Sequence, residues 1–339
     1  MPEIIGEYID RLVNIEMKVQ GGPRGVLHKL YEAARKKQGG PLTYLAAKKL
    51  IELIEPEDIV IIATGAGVPP WLPKGETDGP LGAASLARAL DIGLDAKTVV
   101  VGEERTLDTI KKTFEAAELM IADKELFEKR NHVSLAIPYP LGEKKGEEFA
   151  QELINQYNPK AIITIEKHGP SASGKYHSIM GIGRDPASVA NVKFLTDLGL
   201  EKGIFTLGIG DGGNEIGFGN IYEDVKKIQL YGAKCQCPCG AGIATISKAD
   251  ILITAAISNW GAYGVSAMIS FLLKNIKCLQ DEEIEYRMLD ACVRAGSMDG
   301  SYSNQSMSVD GTSLKTQLAL VTMLRQIVEN GLIQRTRKW

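Results

Sequence analysis

The sequence predicts an α/β protein built on an open, mainly parallel, Rossmann-like sheet flanked by helices, with additional helices at the N- and C-terminal ends. Three observations carry this. Six short β-branched runs are spread through the middle of the chain, most of them continuously apolar, as strands buried on both faces must be. Helical segments separate them, which is what parallel crossovers require. Proline stands at the start and glycine at the end of helices in the expected asymmetry.

In chain order, MPEIIGEYIDRLVNIEM mixes acids with apolar residues and is expected to form an amphipathic helix over about 5–18, followed by helices over about 23–38 and 41–55. The predicted strands are DIVIIATG (58–65), KTVVVG (97–102), HVSLAIP (132–138), KAIITIEKHG (160–169), GIFTLGIGDGG (203–213) and DILITAA (250–256). Pro80 opens a helix with LGAASLARAL; Pro186 precedes the helix ASVANVKFLTDLG, which Gly199 is expected to close as a C-terminal cap. Two amphipathic helices, 281–296 and 313–331, surround a Gly- and Ser-rich loop near the end. No internal repeat or linker interrupts the chain. Residues 1–339 therefore read as one domain: a helical extension to about 55, a core over about 56–275 and a helical part from about 276.

The composition, 44% hydrophobic and 24% charged, supports a sizeable core, and the 36 glycines belong to loops and turns. With 39 basic and 42 acidic residues the formal charge is −3, which argues against a nucleic-acid partner. The N-terminus lacks a basic stretch before an apolar core, and no apolar run approaches the ~18 residues needed to cross a bilayer, so a soluble protein with no membrane partner is expected. Five cysteines, an odd number, fit a reducing compartment and hence the cytoplasm. A homo-oligomer is left open.

In parallel sheets ligands bind beyond the carboxyl ends of the strands, so function is sought there. After the first predicted strand, TGAGVPPWLPKGETDGPLGAA holds Glu76 and Asp78 at the mouth of a helix, with Gly79 beside them: a place for a metal or an anion, or alternatively a helix cap beside a solvated acid. The strand at 160–165 runs into Glu166, Lys167 and His168. An acid there needs a partner or a cation, which makes Glu166 a ligand or base candidate, although Lys167 could neutralise it. His168 and His177 have no recognised metal spacing and are expected in supporting or plain loop roles. The segment GIGDGGNEIGFGN (208–220) sets six glycines around Asp211, Asn214 and Glu215, hard oxygen donors of the kind Mg²⁺ and Mn²⁺ accept. A dinucleotide-binding reading of it fails for want of a helix directly after it, and no phosphate loop of the G-x-x-x-x-G-K-[ST] kind is present.

AAISNWGAYG (255–264) puts Ser258 and Asn259 at a helix entrance, where Asn259 could serve as a cap. Asp299-Gly300 and Asp310-Gly311 flank a loop rich in acceptors. Cys235, Cys237 and Cys239 alternate along an extended segment; C-x-C-x-C is not an expected zinc or iron–sulfur spacing, so burial as small apolar side chains is expected instead.

Taken together, ETDGPLGAA, the strand ending in IEKHG, GIGDGGNEIGFGN, SNWGAYG and the MDG and VDG pair resemble the D-glutamate cyclase C-terminal domain family, over residues 76–311, and the N-terminal helices resemble its stand-alone prokaryotic members. The resemblance implies an α/β fold and a metal-supported site, and the family's eukaryotic multidomain members are similar to enzymes that interconvert D-glutamate and 5-oxo-D-proline. Matched motif by motif, it carries over to Glu76, Asp78, Glu166, Asp211, Asn214, Glu215, Asn259, Asp299 and Asp310. The chain departs from the pattern after Glu166, where an Arg and a Gly-Arg pair are expected and Lys167, His168, Gly169 and Pro170 stand instead; the contact to a substrate anion differs there.

These readings converge on a metal-dependent lyase acting on a small anionic metabolite. One or more Mn²⁺ or Mg²⁺ ions are expected on Glu76, Asp78, Glu166, Asp211, Asn214, Glu215, Asp299 and Asp310. Asp211 or Glu215 is expected as the base, with Lys167 or the helix start near Gly79 holding the α-carboxylate, and Asp78, His168, Ser258 and Asn259 near the substrate. Two alternatives stay open: a metal-dependent phosphomonoesterase using the same acids, and a non-enzymatic metal- or anion-binding protein.

Overall fold

The computed structural model describes residues 1–18 and 24–333. The expected start of the second helix at residue 23, and residues 334–339 of the expected C-terminal part, lie outside them.

Three helices come first, α1 (Pro2–Val13), α2 (Val26–Gln38) and α3 (Leu42–Leu53). Alternation follows: β1 (Ile59–Ala63), α4 (Pro80–Leu94), β2 (Lys97–Glu103), α5 (Leu107–Ala116), β3 (Ile121–Ala122), α6 (Lys124–Lys129), β4 (Ser134–Tyr139), α7 (Glu143–Tyr157) and β5 (Ala161–Ile165). A small ribbon, β6 (Tyr176–His177) with β7 (Gly183–Arg184), precedes α8 (Lys193–Glu201), β8 (Phe205–Gly210), α9 (Tyr222–Ile228), β9 (Ile251–Thr254) and α10 (Ser258–Leu273). The chain ends with α11 (Glu282–Ala295), the ribbon β10 (Ser308–Val309) and β11 (Thr312–Ser313), and α12 (Leu314–Leu332).

Seven strands form one sheet in the order β3-β4-β2-β1-β5-β8-β9, with every neighbouring pair parallel. The apolar runs lack alternation because both faces are covered. Val60 and Ile62 of β1 point into the core beneath α4 and α10, while Ile61 and Ala63 point into the core formed with α7 and α8. The order reverses at β1: the chain leaves it toward β2 on one side and returns as β5 on the other, and a crevice opens at such a switch point.

Three sequence expectations are corrected. The sheet has a seventh strand, β3, whose two residues are too few to leave a pattern. The first helix ends at Val13 instead of about 18, because the chain turns to the end of β9: the Ala256 N–H donates to the Val13 carbonyl, and Asn14 Nδ2 donates to the Thr254 carbonyl at 3.0 Å. Gly199 lies inside α8 and does not cap it. A Cβ there would stand 2.7 Å from Ile162 Cδ1, so the glycine lets the helix sit close on the sheet, while Gly203, at φ +70°, turns the chain afterwards.

Helix starts are held from a distance. The N-cap of α3 is Pro41, which has no acceptor side chain, and Asp10 of α1 supplies the oxygens, taking the N–H groups of Leu42 at 2.6 Å and Thr43 at 3.1 Å. Those bonds tie α1 to α3, and both helices pack into the same apolar cluster that holds α4, α10 and α12. Among the described residues no helix is long and apolar enough to cross a membrane.

Candidate active site

The loops that follow β1, β5, β8 and β9, four adjacent strands, meet at the carboxyl edge of the sheet. Each delivers polar side chains to one place. The loop after β1 brings Glu76 and Asp78, Glu166 follows β5 directly, Asp211 follows β8 directly, and Ser258 and Asn259 open α10 after β9. The C-terminal ribbon adds Asp310. A cavity of about 410 Å³, within the size range of small-molecule sites, is lined by Glu76, Glu166, Asp211, Asn214, Glu215 and Asp310 together with Lys18 and His168.

Asp78 and Asn259 exchange caps. The N-cap of α4 is Gly79 and that of α10 is Ile257, and neither side chain can accept a hydrogen bond. Asp78, just before α4, accepts from the N–H groups of Ser258 at 2.9 Å and Asn259 at 2.7 Å at the start of α10. Asn259, on α10, accepts with Oδ1 from the N–H groups of Gly79 at 2.8 Å and Gly82 at 2.7 Å at the start of α4, and donates to the Thr77 carbonyl at 3.0 Å. The two helix starts, each the positive end of a helix dipole, therefore converge beneath the acids. Gly79 thus has its N–H committed to the scaffold, and Asn259 spends its Oδ1 and one Nδ2 hydrogen bond on it, so both act first as structural parts of the two helix starts.

Asp78, Glu166 and Asp211 each place a carboxylate oxygen within 4.8 Å of the others, and all three are buried. Burial, reinforced by Asp211, Glu215, Asp78 and Glu76 in that order, holds the Glu166 carboxyl well above the usual range. Asp211 is raised as well, first by burial; the Lys18 ammonium opposes the shift. Asp78 is pushed up to about 7, again first by burial. Glu166 has a left-handed backbone at φ +52°, unusual outside glycine, and its carboxylate accepts a short hydrogen bond from Ser258 Oγ. Strain at a buried acid is a mark of functional geometry.

Glu215 is held by its own loop, accepting from Gly212 N–H at 2.9 Å and Gly213 N–H at 2.8 Å. The glycines make this fold possible: a Cβ at Gly208 would lie 2.3 Å from the Ile216 carbonyl oxygen, and Gly213 sits at φ +97°. Asn214 donates to the His177 carbonyl at 2.8 Å, but its Oδ1 is buried without a hydrogen-bond partner while the residue lines the cavity. Such an orphan acceptor calls for a ligand.

Asp299 does not join the group. Its Oδ1 accepts from the N–H groups of Ser301 and Tyr302 and its Oδ2 from Ser308 Oγ and Gly311 N–H, so the carboxylate is spent on tying its loop together. The second Asp-Gly step makes the tight β10–β11 turn and presents Asp310. Lys167 also departs from its expected place. Its ammonium donates to the Gly65 carbonyl at 2.8 Å, and burial lowers its pKa.

Two cationic residues at the site left no signal in the sequence. Lys18, at the end of a segment read as helix, reaches back to pair with both Asp211 and Asp310. Arg184 of β7 donates to the Gly67 carbonyl at 2.8 Å and sets Nη1 3.4 Å from His168 Nδ1. Arginine has no acceptor, so Nδ1 accepts and the proton of His168 lies on Nε2, 3.8 Å from Glu166 Oε1. Burial, then Arg184 and Lys167, push the His168 pKa down to about 3, which keeps the ring neutral. Arg184 thus brings a guanidinium to the region after Glu166 where the sequence itself lacks one.

The three cysteines are corrected in part. Cys235 is buried as expected, but Cys237 and Cys239 are only half-buried; the three sulfurs face one another, and those of Cys237 and Cys239 also face the ring of His177.

Fold and site together define a Rossmann-like α/β protein with a buried carboxylate cluster at the switch-point edge of its sheet. The D-glutamate cyclase-like, C-terminal family matches residues 10–325, and the chain belongs to that family. Among curated proteins it is similar to the mitochondrial D-glutamate cyclase of Homo sapiens, 28% identical over 214 residues. The alignment covers 59% of this chain and 30% of the human protein.

Proposed function

We propose that this chain is a metal-supported lyase that interconverts D-glutamate and 5-oxo-D-proline. The observation that carries the reading is the convergence within 4.8 Å of three buried acids, Asp78, Glu166 and Asp211, the last two lining the cavity, an arrangement whose repulsion calls for a cation. The residues fit a divalent ion such as Mn²⁺ or Mg²⁺, since every donor is a hard oxygen and Asn214 Oδ1 waits beside them without a partner. Such an ion, when bound, supplies Lewis acidity toward the side-chain carboxyl of an amino diacid.

The chain's own residues do the rest. Asp211 and Asp310 already hold an ammonium, that of Lys18, and the same pair suits the ammonium of the substrate. Asp211, whose pKa is raised, takes a proton from that ammonium, and the freed nitrogen attacks the terminal carboxyl carbon. A C–N bond forms, a C–O bond breaks, and the two protons lost by nitrogen leave in the water released. Asp211 is assigned as base over Glu215 because Glu215 is engaged by two backbone N–H groups. Arg184, behind His168, provides the positive side toward which the remaining carboxylate turns, in place of Lys167.

The test is a substrate screen of the purified protein with Mn²⁺ or Mg²⁺ against D-glutamate, 5-oxo-D-proline and a generic phosphomonoester. Turnover of the first two, lost on chelation and in Asp211→Asn, is expected. Turnover of the phosphomonoester alone would replace the lyase with a phosphatase, and full activity in Asp211→Asn would remove that acid from the mechanism.

A further inference from the structure

A second group of metal-ligating side chains lies behind the wall of the active-site cavity, and its chemistry is opposite to that of the acids. Cys235, Cys237 and Cys239, on the loop between α9 and β9, gather around His177 of β6. The sulfur separations are 3.4 Å for Cys235–Cys237, 3.4 Å for Cys235–Cys239 and 3.2 Å for Cys237–Cys239. His177 Nε2 lies 3.4 Å from the Cys237 sulfur and 3.3 Å from that of Cys239.

Five of the six separations among these donors fall between 3.2 and 3.4 Å and the sixth, from His177 Nε2 to the Cys235 sulfur, is within 4.8 Å, a grouping compact enough for four ligands of one ion. Zinc–sulfur bonds of about 2.3 Å at the tetrahedral angle put sulfurs about 3.8 Å apart, so the observed group needs to open by only a few tenths of an ångström. Disulfide sulfurs would sit at about 2.05 Å, which none of these pairs approaches. An iron–sulfur cluster spreads its thiolates over separate irons, whereas these sulfurs point to one spot.

His177 gives an independent indication. It is 1% exposed, its Nδ1 has no hydrogen-bond partner, and its Nε2 faces only sulfur. A buried imidazole whose Nε2 meets only thiol sulfur, a weak hydrogen-bond partner, is suited to ligating a metal through that nitrogen, with its proton on Nδ1.

We propose that His177, Cys235, Cys237 and Cys239 hold a single zinc ion in a closed, structural site. Three thiols release their protons to solvent and the imidazole binds neutral, so the assembled site carries a net charge of −1. With all four positions filled by protein, no corner is open to substrate. The ion fastens the β6–β7 ribbon to the cysteine loop, alongside the Gln236 N–H to Gly181 carbonyl bond at 2.9 Å and the Gln236 Nε2 to Met180 carbonyl bond at 2.7 Å. Ser178, Ile179 and Met180 of that ribbon line the cavity, and Asn214 donates to the His177 carbonyl. The zinc therefore braces one wall of the carboxylate site. Soft thiolates select zinc where the oxygen cluster selects hard ions, so the two places sort their metals by donor chemistry.

Metal analysis and native mass spectrometry of the full chain, purified without chelator, test this directly. One zinc per chain, released by a thiol-specific mercurial, is expected. Cobalt in its place gives a thiolate-to-metal charge-transfer band and the intense visible absorption of tetrahedral Co²⁺. Cys237→Ser and Cys239→Ser should each lose that band, and Asp211→Asn should keep it, which separates this site from the carboxylates. Wild-type protein that is folded by circular dichroism yet holds no zinc and develops no cobalt–thiolate band overturns the proposal. A disulfide among the three cysteines, or iron and acid-labile sulfide in stoichiometric amount, overturns it equally.

Discussion

Replacing Glu166 by Gln tests whether the acids form a cation site, through a change of sign. Glu166 is 7% exposed, and unlike Asp211 it has no lysine paired with it. Its carboxyl is raised well above 4.5 in the folded protein, first by burial and then by its acidic neighbours. A carboxyl with a raised folded pKa stabilises the protein fully below its unfolded value and loses that contribution as pH rises. In metal-free protein at pH 7, taking up the proton that the unfolded chain has shed costs at most about 3 kcal/mol. Gln carries no such penalty, and its amide oxygen can still accept from Ser258 Oγ. Glu166→Gln should therefore stabilise the chelator-treated protein at pH 7, by no more than that limit, and the gain should shrink as pH falls toward 4.5. Manganese reverses the order: at 100 times its dissociation constant a ligand adds about 2.7 kcal/mol to wild type, while the variant has lost a charged donor. Urea unfolding with EDTA and with Mn²⁺, at pH 5 and pH 7, measures all four values. The reasoning is refuted if the variant is destabilised in EDTA and neither Mn²⁺ nor Mg²⁺ stabilises wild type.

Two further predictions concern the scaffold. Asn259→Ala strands the buried Gly82 N–H and the Thr77 carbonyl and leaves the Gly79 N–H only Asp78 Oδ1 at 3.0 Å, so stability should fall by about 2–3 kcal/mol in urea unfolding; a loss below about 1 kcal/mol would show that water replaces the amide. Glu285, wholly buried with Tyr263 and Gln280 as its hydrogen-bond partners, is pushed up to about 7, chiefly by burial. Its contribution to stability is complete below pH 4.5 and is lost as pH rises to about 7, a change of about 3 kcal/mol, so the difference between wild type and Glu285→Gln should drift by that amount between pH 5 and pH 8 and stay flat if the acid is already charged.

The sheet was legible because strands buried on both faces leave unbroken apolar runs, and the acids were legible because Glu166 and Asp211 stand directly after such runs. What escaped has a common physical origin. Lys18 and Arg184 reach the site from a chain terminus and a two-residue ribbon, neither of which imposes a period on the sequence. Asp299 and Asp310 share one local motif, and only their hydrogen bonds tell the carboxylate that ties a loop from the one that faces the cavity. The same limit applies to Asp78 and Asn259, each of which looks from its neighbours like the cap of its own helix and instead serves the other's. His177 and the three cysteines lie far apart in the chain, so spacing rules written for contiguous motifs pass over them.

The exchange of caps between α4 and α10 also governs when the site can come into being. Asp78 and Asn259 are 181 residues apart, so the hydrogen bonds that fix Asp78 become available only after most of the chain has been brought into register. Before that the Asp78 carboxylate has only the adjacent Gly79 N–H, at 3.0 Å, to hold it. The geometry of the carboxylate cluster is therefore a property of the assembled core, with α10 seated against α4, and not of any single loop that contributes an acid.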